Sequence, residues 1–405
     1  MKKLYLLLFI LFLISNLNGQ FWIRTYGQGS GVSVDETNDG GFIIVGTVLN
    51  NELDDICLIK TNGNGDTTWT KTFGDYDKRE FGRDIKQTSD NGFIILGVTQ
   101  SIGTMVMKTD TNGDTLWSKL FENFFGVHIE GTSDGGYIIS GIDSDYGYVG
   151  CSNFELKKLN SLGEELWSQN NIFGYGDCEV STGWVVQETM DGGFIVITDE
   201  MLIKLNHEGN TQWTNENMGG NYVQQTSDGG YIVIGWFNDG NNNDHISLIK
   251  SNEHGNLSWY HYFGGDCSSN CYNGRFVKET PDGGFIFFGR KGVEGNWIVK
   301  TDSSGYIEWD ELYEIPGYTN GSTLSTDGTM VFVGTISDNI NNTSEIFWSR
   351  TLQLLNIDSE SVPISLAVPE DIASGLSVES RNTRTGFPRE GASSCKPPES
   401  VKTIL

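Results

Sequence analysis

One short motif, DGGYIVIG at residues 228–235, recurs in related forms along this 405-residue chain and constrains its fold more than any other feature. Its seven copies lie 37 to 57 residues apart and begin at Asp39, Asp90, Asp134, Asp191, Asp228, Asp282 and Asp327. Each copy joins a glycine turn to a short, β-branched, apolar strand. Repeats of this period are typical of solenoids, propellers and arrays.

A second repeated segment, of the type LIKTNGNGDTTW, follows six of the seven motifs. In each copy a lysine precedes a tryptophan by nine residues, in the pairs Lys60–Trp69, Lys108–Trp117, Lys158–Trp167, Lys204–Trp213, Lys250–Trp259 and Lys300–Trp309. An Asn or Asp and a Gly lie between them, which is the chemistry of a tight hairpin. One unit therefore has four short antiparallel strands, which is typical of a propeller blade. We expect the tryptophans to pack between blades rather than to bind a ligand.

The two ends of the repeat region complement each other. The seventh unit has a third strand at Glu345–Thr351 but no tryptophan hairpin after it, and FWIRTYG at 21–27 matches TTWTKTFG at 67–74. The sequence therefore predicts an all-β, seven-bladed β-propeller of four-stranded antiparallel blades, with the ring closed by the N-terminal strand. Closure removes exposed strand edges. An eight-bladed ring and an open array are the alternatives.

The hairpin segment resembles the tryptophan-containing repeats of PQQ-type propellers. It is more similar to exported bacterial propellers built from tandem QTSDGGYIVIG and KTDSNGDTLW units, most of which have no assigned function. The PQQ resemblance implies a quinone in the central channel with calcium and a pair of adjacent cysteines. This chain has no two adjacent cysteines, so no quinone-binding residue is assigned and we expect no cofactor, with calcium as the exception considered below.

The ends of the chain differ from the repeats. Residues 1–19 have the features of a signal peptide, with Lys2 and Lys3 before an apolar run too short to span a bilayer. A membrane anchor is the alternative. We expect the propeller to occupy residues 20–356, and an irregular tail to occupy 357–405, where five of the seven prolines lie. The expected product is an exported monomer, secreted, cell-surface or periplasmic, with no membrane span after cleavage.

The formal net charge is −27, and loss of Lys2 and Lys3 with the leader would make it −29. Such a surface repels phosphate backbones, so nucleic acid is not an expected partner.

Loop lengths indicate which face of the propeller carries function. The turn after each first strand and the Asx–Gly hairpin share one face and have fixed spacing. On the other face, the distance from the motif aspartate to the lysine ranges from 13 to 24 residues. Variable loops on a rigid scaffold are the usual place for binding. Aromatic and basic residues in the longest of these loops are the candidate ligand-binding residues: Tyr146, Tyr148, Tyr175, Trp184, Trp236, Phe237, Tyr272 and Arg275.

The same loops contain candidate metal ligands and cysteines. Oxygen-rich segments offer calcium ligands at Asp143, Asp145, Asp239 and Asp244, although solvated turns explain the same composition. In an exported protein we expect Cys151 to pair with Cys178, and Cys267 with Cys271. Cys57 has the position of a small core residue.

Because no catalytic constellation is evident, the leading hypothesis is a non-enzymatic exported propeller that binds a glycan or a protein through the variable loops. The main alternative is an extracellular polysaccharide hydrolase or lyase that uses loop carboxylates. A PQQ-type quinoprotein is a weaker alternative.

Overall fold

The computed structural model describes residues 21–50, 52–75, 77–143, 153–170, 185–240, 243–268, 272–292, 295–313, 317–338, 343–351 and 401–403. Within these ranges the chain forms seven antiparallel sheets, one for each blade, in a ring. This confirms the predicted seven-bladed all-β propeller. Over the same ranges, no helix has the length and hydrophobicity needed to cross a bilayer.

The strands of the first three blades follow the order of the repeats. Blade one consists of β2 (Ser30–Glu36), β3 (Phe42–Asn50), β4 (Leu53–Thr61) and β5 (Thr67–Phe73). Blade two consists of β6 (Glu80–Gln87), β7 (Phe93–Thr99), β8 (Gly103–Thr109) and β9 (Thr115–Glu122). Blade three consists of β10 (Phe124–Gly131), β11 (Tyr137–Asp143), β12 (Asn153–Leu159) and β13 (Glu165–Asn170).

The next three blades have the same arrangement. Blade four consists of β14 (Val185–Glu188), β15 (Phe194–Ile197), β16 (Leu202–Leu205) and β17 (Thr211–Asn215). Blade five consists of β18 (Tyr222–Gln225), β19 (Tyr231–Asn238), β20 (Asn243–Ser251) and β21 (Leu257–Ser268). Blade six consists of β22 (Tyr272–Glu279), β23 (Phe285–Lys291), β24 (Gly295–Thr301) and β25 (Ile307–Tyr313).

Blade seven is assembled from both ends of the repeat region. It combines β26 (Tyr318–Leu324), β27 (Met330–Asp338) and β28 (Thr343–Thr351) with the N-terminal strand β1 (Phe21–Gln28). Trp22 lies opposite Arg350, just as Trp69 lies opposite Lys60 in blade one, so the N-terminal strand has the predicted register. A short strand that the sequence did not predict, β29 (Val401–Thr403), pairs with the outer edge of β1.

The hydrophobic core is divided among the seven blade junctions, each with its own buried cluster. In five junctions the repeated tryptophan contacts an aromatic residue of the next blade at 5.7 to 6.0 Å between ring centroids, in the pairs Trp69–Phe93, Trp117–Tyr137, Trp167–Phe194, Trp213–Tyr231 and Trp259–Phe285. At the closing junction Trp348 makes the corresponding contact with Phe42, at 5.8 Å. The expected structural role of these tryptophans is confirmed.

The two repeated sequence signals meet through an ion pair on one face of the propeller, which we call the turn face because it carries the motif turns and the Asx–Gly hairpins. In blade five, Lys250 donates to Asp228 at 2.9 Å and to the Ser251 carbonyl at 2.8 Å. Asp228 also accepts hydrogen bonds from Thr226 and Gly230. Equivalent lysine pairs fix the turns of blades one to six, and Arg350 pairs with Asp327 in blade seven.

Neighbouring blades are also joined on the turn face. The last residue of a first strand accepts hydrogen bonds from the motif turn of the preceding blade, as when Glu279 accepts from Ser227 at 2.6 and 2.8 Å. Glu36 accepts from Ser325 and Thr326 and so links blade seven to blade one. The motif turn is therefore a structural element, and the opposite face, which we call the loop face, is the one with variable connections.

Candidate functional site

Blade four is much shorter than blade five on the loop face. Its second and third strands end at the pair Ile197–Leu202, and Thr198 donates to the Met201 carbonyl at 3.0 Å to close the turn. The equivalent ladder in blade five continues past Ile234 as far as Asn238. The blade-four side of this extension therefore has no described strand packed against it.

Four aromatic side chains occupy this uncovered side. Cross-strand pairing places Phe237, His245, Tyr260 and Tyr262 on one side of the blade-five sheet, the side that faces blade four. Phe237 and Tyr262 stack at 4.3 Å with an angle of 13° between their planes, and Tyr260 follows at 5.2 Å from Tyr262. We call these four residues the aromatic shelf.

The shelf is open to solvent. Phe237, Tyr262 and Tyr260 are 39%, 43% and 53% exposed. Soluble proteins normally cover aromatic clusters of this kind, so an uncovered one indicates a binding surface. The shelf supplies flat apolar faces together with phenolic and imidazole groups that form hydrogen bonds.

A polar loop borders the shelf. Asn243 donates to Asp239 through its backbone at 3.2 Å and its side chain at 3.0 Å. Asn238 donates to Asp244 at 2.8 Å. His245 Nε2 lies 3.9 Å from the Asp239 carboxylate. These contacts hold carboxylate and amide groups at the edge of the aromatic rings.

The structure separates two candidates that are adjacent in the sequence. Phe237 belongs to the shelf, whereas Trp236 lies on the opposite side of the sheet, opposite Ile246 in the blade-six-facing cluster. Trp236 is exposed there. Arg275 lies in β22 at the blade-seven junction, where it donates to the Thr319 carbonyl at 2.9 Å. Neither residue is part of the shelf.

Several candidates cannot be placed. Tyr146, Tyr148, Tyr175 and Trp184 lie outside the described residues, and Tyr272 is described only as a backbone position at the start of β22. Their assignment to a binding site stays a prediction.

The calcium hypothesis also stays a prediction. In the part of the chain that the structure describes, no group of three or more His, Cys, Asp or Glu side chains could hold a metal ion. Asp145 lies outside that part. Asp239 and Asp244 hold the loop beside the shelf, and Asp143 ends β11.

The expected disulfides fall on residues whose side chains the structure does not describe, namely Cys151, Cys178, Cys267 and Cys271. Cys57 is fully buried in the cluster between blades seven and one, as its strand position predicted. It is not a free thiol.

A second candidate site lies in the central channel. The central channel contains a cavity of about 800 Å³. Each first strand contributes one residue to its wall, four positions before the motif aspartate. These seven residues, which we call the channel ring, are Asp35, Lys86, Glu130, Gln187, Gln224, Lys278 and Thr323. Motif-turn residues such as Ser89 and Ser133 also line the cavity, so it opens toward the turn face.

Beneath the channel ring, a second layer contains Asp84, His128, Tyr222 and Phe276. Asp84 accepts from Ser33 at 2.7 Å and from the Ile129 amide at 3.0 Å, and His128 Nε2 lies 3.7 Å from it. Tyr222 and Phe276 pack at 5.1 Å between ring centroids and line the cavity.

The channel changes the ionisation of its own side chains. Burial raises the pKa of Glu130 to about 7. The Lys86 ammonium reduces this rise, and the Asp35 carboxyl adds to it. Burial lowers the pKa of His128 to about 4. Burial acts against the charge of Lys86, but Asp84, Glu130 and Asp35 outweigh it and raise its pKa. Perturbed titrating groups around a cavity are a frequent property of binding and catalytic sites.

Sequence reasoning missed the channel ring because it placed function only on the loop face. A signal existed in the repeats: the position four residues before each motif aspartate changes from Asp to Lys, Glu, Gln or Thr. If these strands served folding alone, this position would not need to differ in charge from blade to blade.

Comparison with known proteins agrees with the fold. No family model matches the chain, and no curated protein matches it in sequence. Among solved structures it is similar to YCF48 bound to D1 peptide, with 9% identity, a TM-score of 0.50 and coverage of 82% of this chain and 96% of that one. It is similar to the Pan2 WD40 domain of Neurospora crassa, with 11% identity, a TM-score of 0.50 and coverage of 81% and 95%.

A protein of unknown function from Bacteroides caccae is also similar, at 12% identity and a TM-score of 0.41 over 71% of this chain and 94% of that one. At these identities the two likenesses with a TM-score of 0.50 show the propeller fold alone.

Proposed function

We propose that this chain is an exported, non-enzymatic propeller that binds carbohydrate through the aromatic shelf of blade five. The observation that carries the proposal is the exposed Phe237–Tyr262 stack, which the short blade four leaves uncovered. Pyranose rings present flat C–H faces that pack on aromatic rings, while their hydroxyls hydrogen-bond to carboxylates and amides. The shelf and its Asx-rich border supply both kinds of group.

The size of the shelf favours a glycan over a folded protein partner. A stable protein interface buries about 800 Å² on each side, whereas the shelf consists of a few rings beside one loop. An exposed aromatic surface bordered by polar groups suits a small ligand or a segment of an oligosaccharide.

Export is supported by the signal-peptide features of residues 1–19 and by the resemblance of the repeats to exported bacterial propellers. Secretion that leaves Gln20 as the N-terminal residue is the expected outcome, and N-terminal sequencing of the extracellular or periplasmic protein checks it. Intact protein retained in the cytoplasm would contradict this part of the proposal.

A glycan array probed with the protein starting at Gln20 tests the binding activity. We expect binding to at least one glycan class and a loss of roughly tenfold or more in affinity for Phe237→Ala and for Tyr262→Ala, because each change removes a stacking surface. Tyr306→Ala is the matched control, since Tyr306 is also an exposed tyrosine but lies in the turn-face hairpin of blade six.

Three outcomes would contradict the proposal. They are an array without any bound glycan, shelf variants that bind as well as the control, and release of reducing ends from a bound polysaccharide. The last result would favour the hydrolase alternative.

A further inference from the structure

Arg275, a binding candidate from the sequence that the shelf does not include, lies at the junction of blades six and seven on the loop face. It is the extra residue of a β-bulge in β22, between Gly274 and Phe276. A bulge turns the extra side chain out of the regular alternation of the strand. Arg275 therefore reaches blade seven, where its Nη1 donates to the Thr319 carbonyl at 2.9 Å. The residue is exposed, so a ligand can reach its other N–H groups.

A second arginine lies beside it. Arg290 is near the loop-face end of β23, and its guanidinium carbon lies 6.0 Å from the ring centroid of Tyr318, the first residue of β26. Its Nε donates to the Gly292 carbonyl at 3.0 Å. Because Tyr318 and Thr319 are consecutive, the guanidinium groups of Arg275 and Arg290 both lie against the start of β26. The Tyr318 ring is 62% exposed.

Neither arginine has a carboxylate partner among the described residues. Enclosure at the junction lowers the pKa of Arg275, and the Arg290 charge lowers it further, while no described carboxyl raises it. Arg24, Arg79 and Arg350, by contrast, each form an ion pair with an aspartate. Two neighbouring positive charges repel each other, and an anion held by both would remove that repulsion.

The contacts of the two arginines leave N–H groups for such an anion. A guanidinium carries five N–H donors in a planar fork, which matches a carboxylate or another oxyanion. Arg275 uses one donor on Thr319, and Arg290 uses one on Gly292. Thr319 is itself held by the buried Asn296, which donates to its hydroxyl at 2.9 Å. The position of Arg275 is therefore fixed before a ligand arrives.

We propose that this junction binds an acidic sugar unit, whose sulfate or carboxylate pairs with Arg275 and Arg290 while its ring packs on Tyr318. We call these three residues the arginine site. The exposed Tyr318 ring supplies a flat apolar face beside the two positive charges. The anion site stands on these contacts, whereas the choice of a sugar rests on the proposed carbohydrate binding by the shelf, which lies on the same face.

The net charge of the chain limits the charge of the ligand. A formal charge of −27 repels polyanions from a distance. A single acidic group in contact with two guanidinium groups is affected less by distant charges, which salt screens beyond about 8 Å at physiological ionic strength. We therefore expect a glycan with isolated acidic units rather than a heavily sulfated chain or an acidic protein segment.

Titration calorimetry of the mature chain with D-glucose 6-sulfate, D-glucuronate and D-glucose tests the proposal. We expect at least one acidic sugar to bind roughly tenfold or more tighter than glucose. Its affinity should fall roughly threefold or more between about 20 and about 300 mM NaCl, because the contact is between charges. The tighter of the two acidic sugars identifies the acidic group.

Variants locate the site. Arg290→Gln should weaken binding of the acidic sugar roughly tenfold or more, and Tyr318→Ala should weaken it roughly threefold or more. Arg79→Gln is the matched control and should leave the affinity unchanged, since Arg79 is a loop-face arginine already paired with Asp54.

Four results would overturn the proposal. They are no binding of either acidic sugar up to about 10 mM, equal affinity for glucose, an affinity that does not change with salt, and full affinity in Arg290→Gln. Inorganic sulfate that binds as tightly as glucose 6-sulfate would refute the sugar contact, and tighter binding of a triglutamate peptide would identify a protein segment as the partner instead.

The comparisons with glucose and between salt concentrations use the unaltered chain, so they decide the matter even where a variant fails to fold. Phe237→Ala should bind the acidic sugar normally, and Arg290→Gln should keep the affinity of the shelf for a neutral glycan. Failure of the aromatic shelf is therefore distinguishable from failure of the arginine site.

Discussion

Single residues of the channel have ionisation properties that their sequence neighbours do not suggest. His128 has a pKa lowered to about 4, because burial disfavours its charged form more than Asp84 favours it, and its Nδ1 has no hydrogen-bond partner among the described residues. Glu130, two residues later in the same strand, has its pKa raised to about 7. Both shifts result from enclosure in a channel formed by all seven blades, which local sequence cannot show.

Replacing Glu130 by Gln should stabilise the protein in a pH-dependent way. The pKa of Glu130 rises from its ordinary value of 4.5 to about 7 on folding. The folded state then binds the proton more tightly, and stability falls as pH increases across that interval. The variant lacks this loss, so its free energy of unfolding should match that of the wild type near pH 4 and exceed it at pH 8.5 by on the order of 1–3 kcal/mol, which thermal unfolding at the two pH values measures. Equal stability of the two proteins at pH 8.5 as well as near pH 4 would contradict the assigned environment.

The repeated lysine lies at a fixed distance from the tryptophan and so belongs to the predicted hairpin unit, but the sequence did not show that its partner is the motif aspartate of the same blade. That contact requires the hairpin and the turn to be adjacent on the turn face, which depends on the strand order.

Lys250→Met should therefore destabilise the propeller more than Lys71→Met. Lys250 is buried and loses contacts to Asp228 and to the Ser251 carbonyl, at a cost of about 1–3 kcal/mol. Lys71 forms an exposed pair with Asp114, which contributes less than about 1 kcal/mol. Chemical denaturation of both variants measures the difference, and equal losses of unfolding free energy would show that the turn-face pair has no special role.

At the scale of elements, the motif turns make the fold sensitive to acid. Hydrogen bonds and the paired lysine outweigh burial and lower the pKa from 3.8 to about 2 in Asp39, Asp90, Asp134, Asp191, Asp228 and Asp282. A carboxyl with a depressed folded-state pKa contributes stability above its unfolded value, and that contribution is lost as pH falls toward the folded value.

Unfolding free energy should accordingly decrease between about pH 4 and pH 2. Urea denaturation at pH 5, 4 and 3 measures the decrease, and Lys250→Met should show a shallower slope because Asp228 loses its partner. A stability that does not change between pH 4 and pH 3 would rule out this role for the turns.

Blade lengths explain why the shelf could be predicted only in part. The 13-residue gap between Asp191 and Lys204 is the shortest of its kind in the chain, and it corresponds to the truncated blade four. Phe237 was a candidate because it follows the apolar strand of blade five. Tyr260 and Tyr262 were not, because they lie in the regular tryptophan strand and become exposed only through the shortness of the neighbouring blade.

At the scale of the whole molecule, closure of the ring depends on the N-terminal strand. Ile23 and Tyr26 are buried in the two clusters that flank blade seven, and Tyr26 donates to the Gly65 carbonyl at 2.9 Å. The sequence predicted this closure because both halves of the split blade carry recognisable pieces of the repeat. The varied position four residues before each motif aspartate was a signal of the channel ring, but the cavity that it lines exists only once seven first strands meet.

Removal of residues 21–28 should open the ring. The deletion exposes the edge of β28 and removes two buried side chains, each stabilising by about 1.5–3 kcal/mol. We expect a lower melting temperature and a tendency to aggregate, with partial recovery when a synthetic peptide of residues 21–28 is added. A truncated protein that melts like the intact one would contradict closure by β1.

The proposed activity of the molecule rests on the aromatic shelf, and the most direct test is the affinity of one bound glycan for the wild type, Tyr262→Ala and Tyr306→Ala, measured by titration calorimetry. The shelf assignment predicts a loss of roughly tenfold or more for Tyr262→Ala and a change of less than about twofold for Tyr306→Ala. Equal affinities for all three proteins would contradict it.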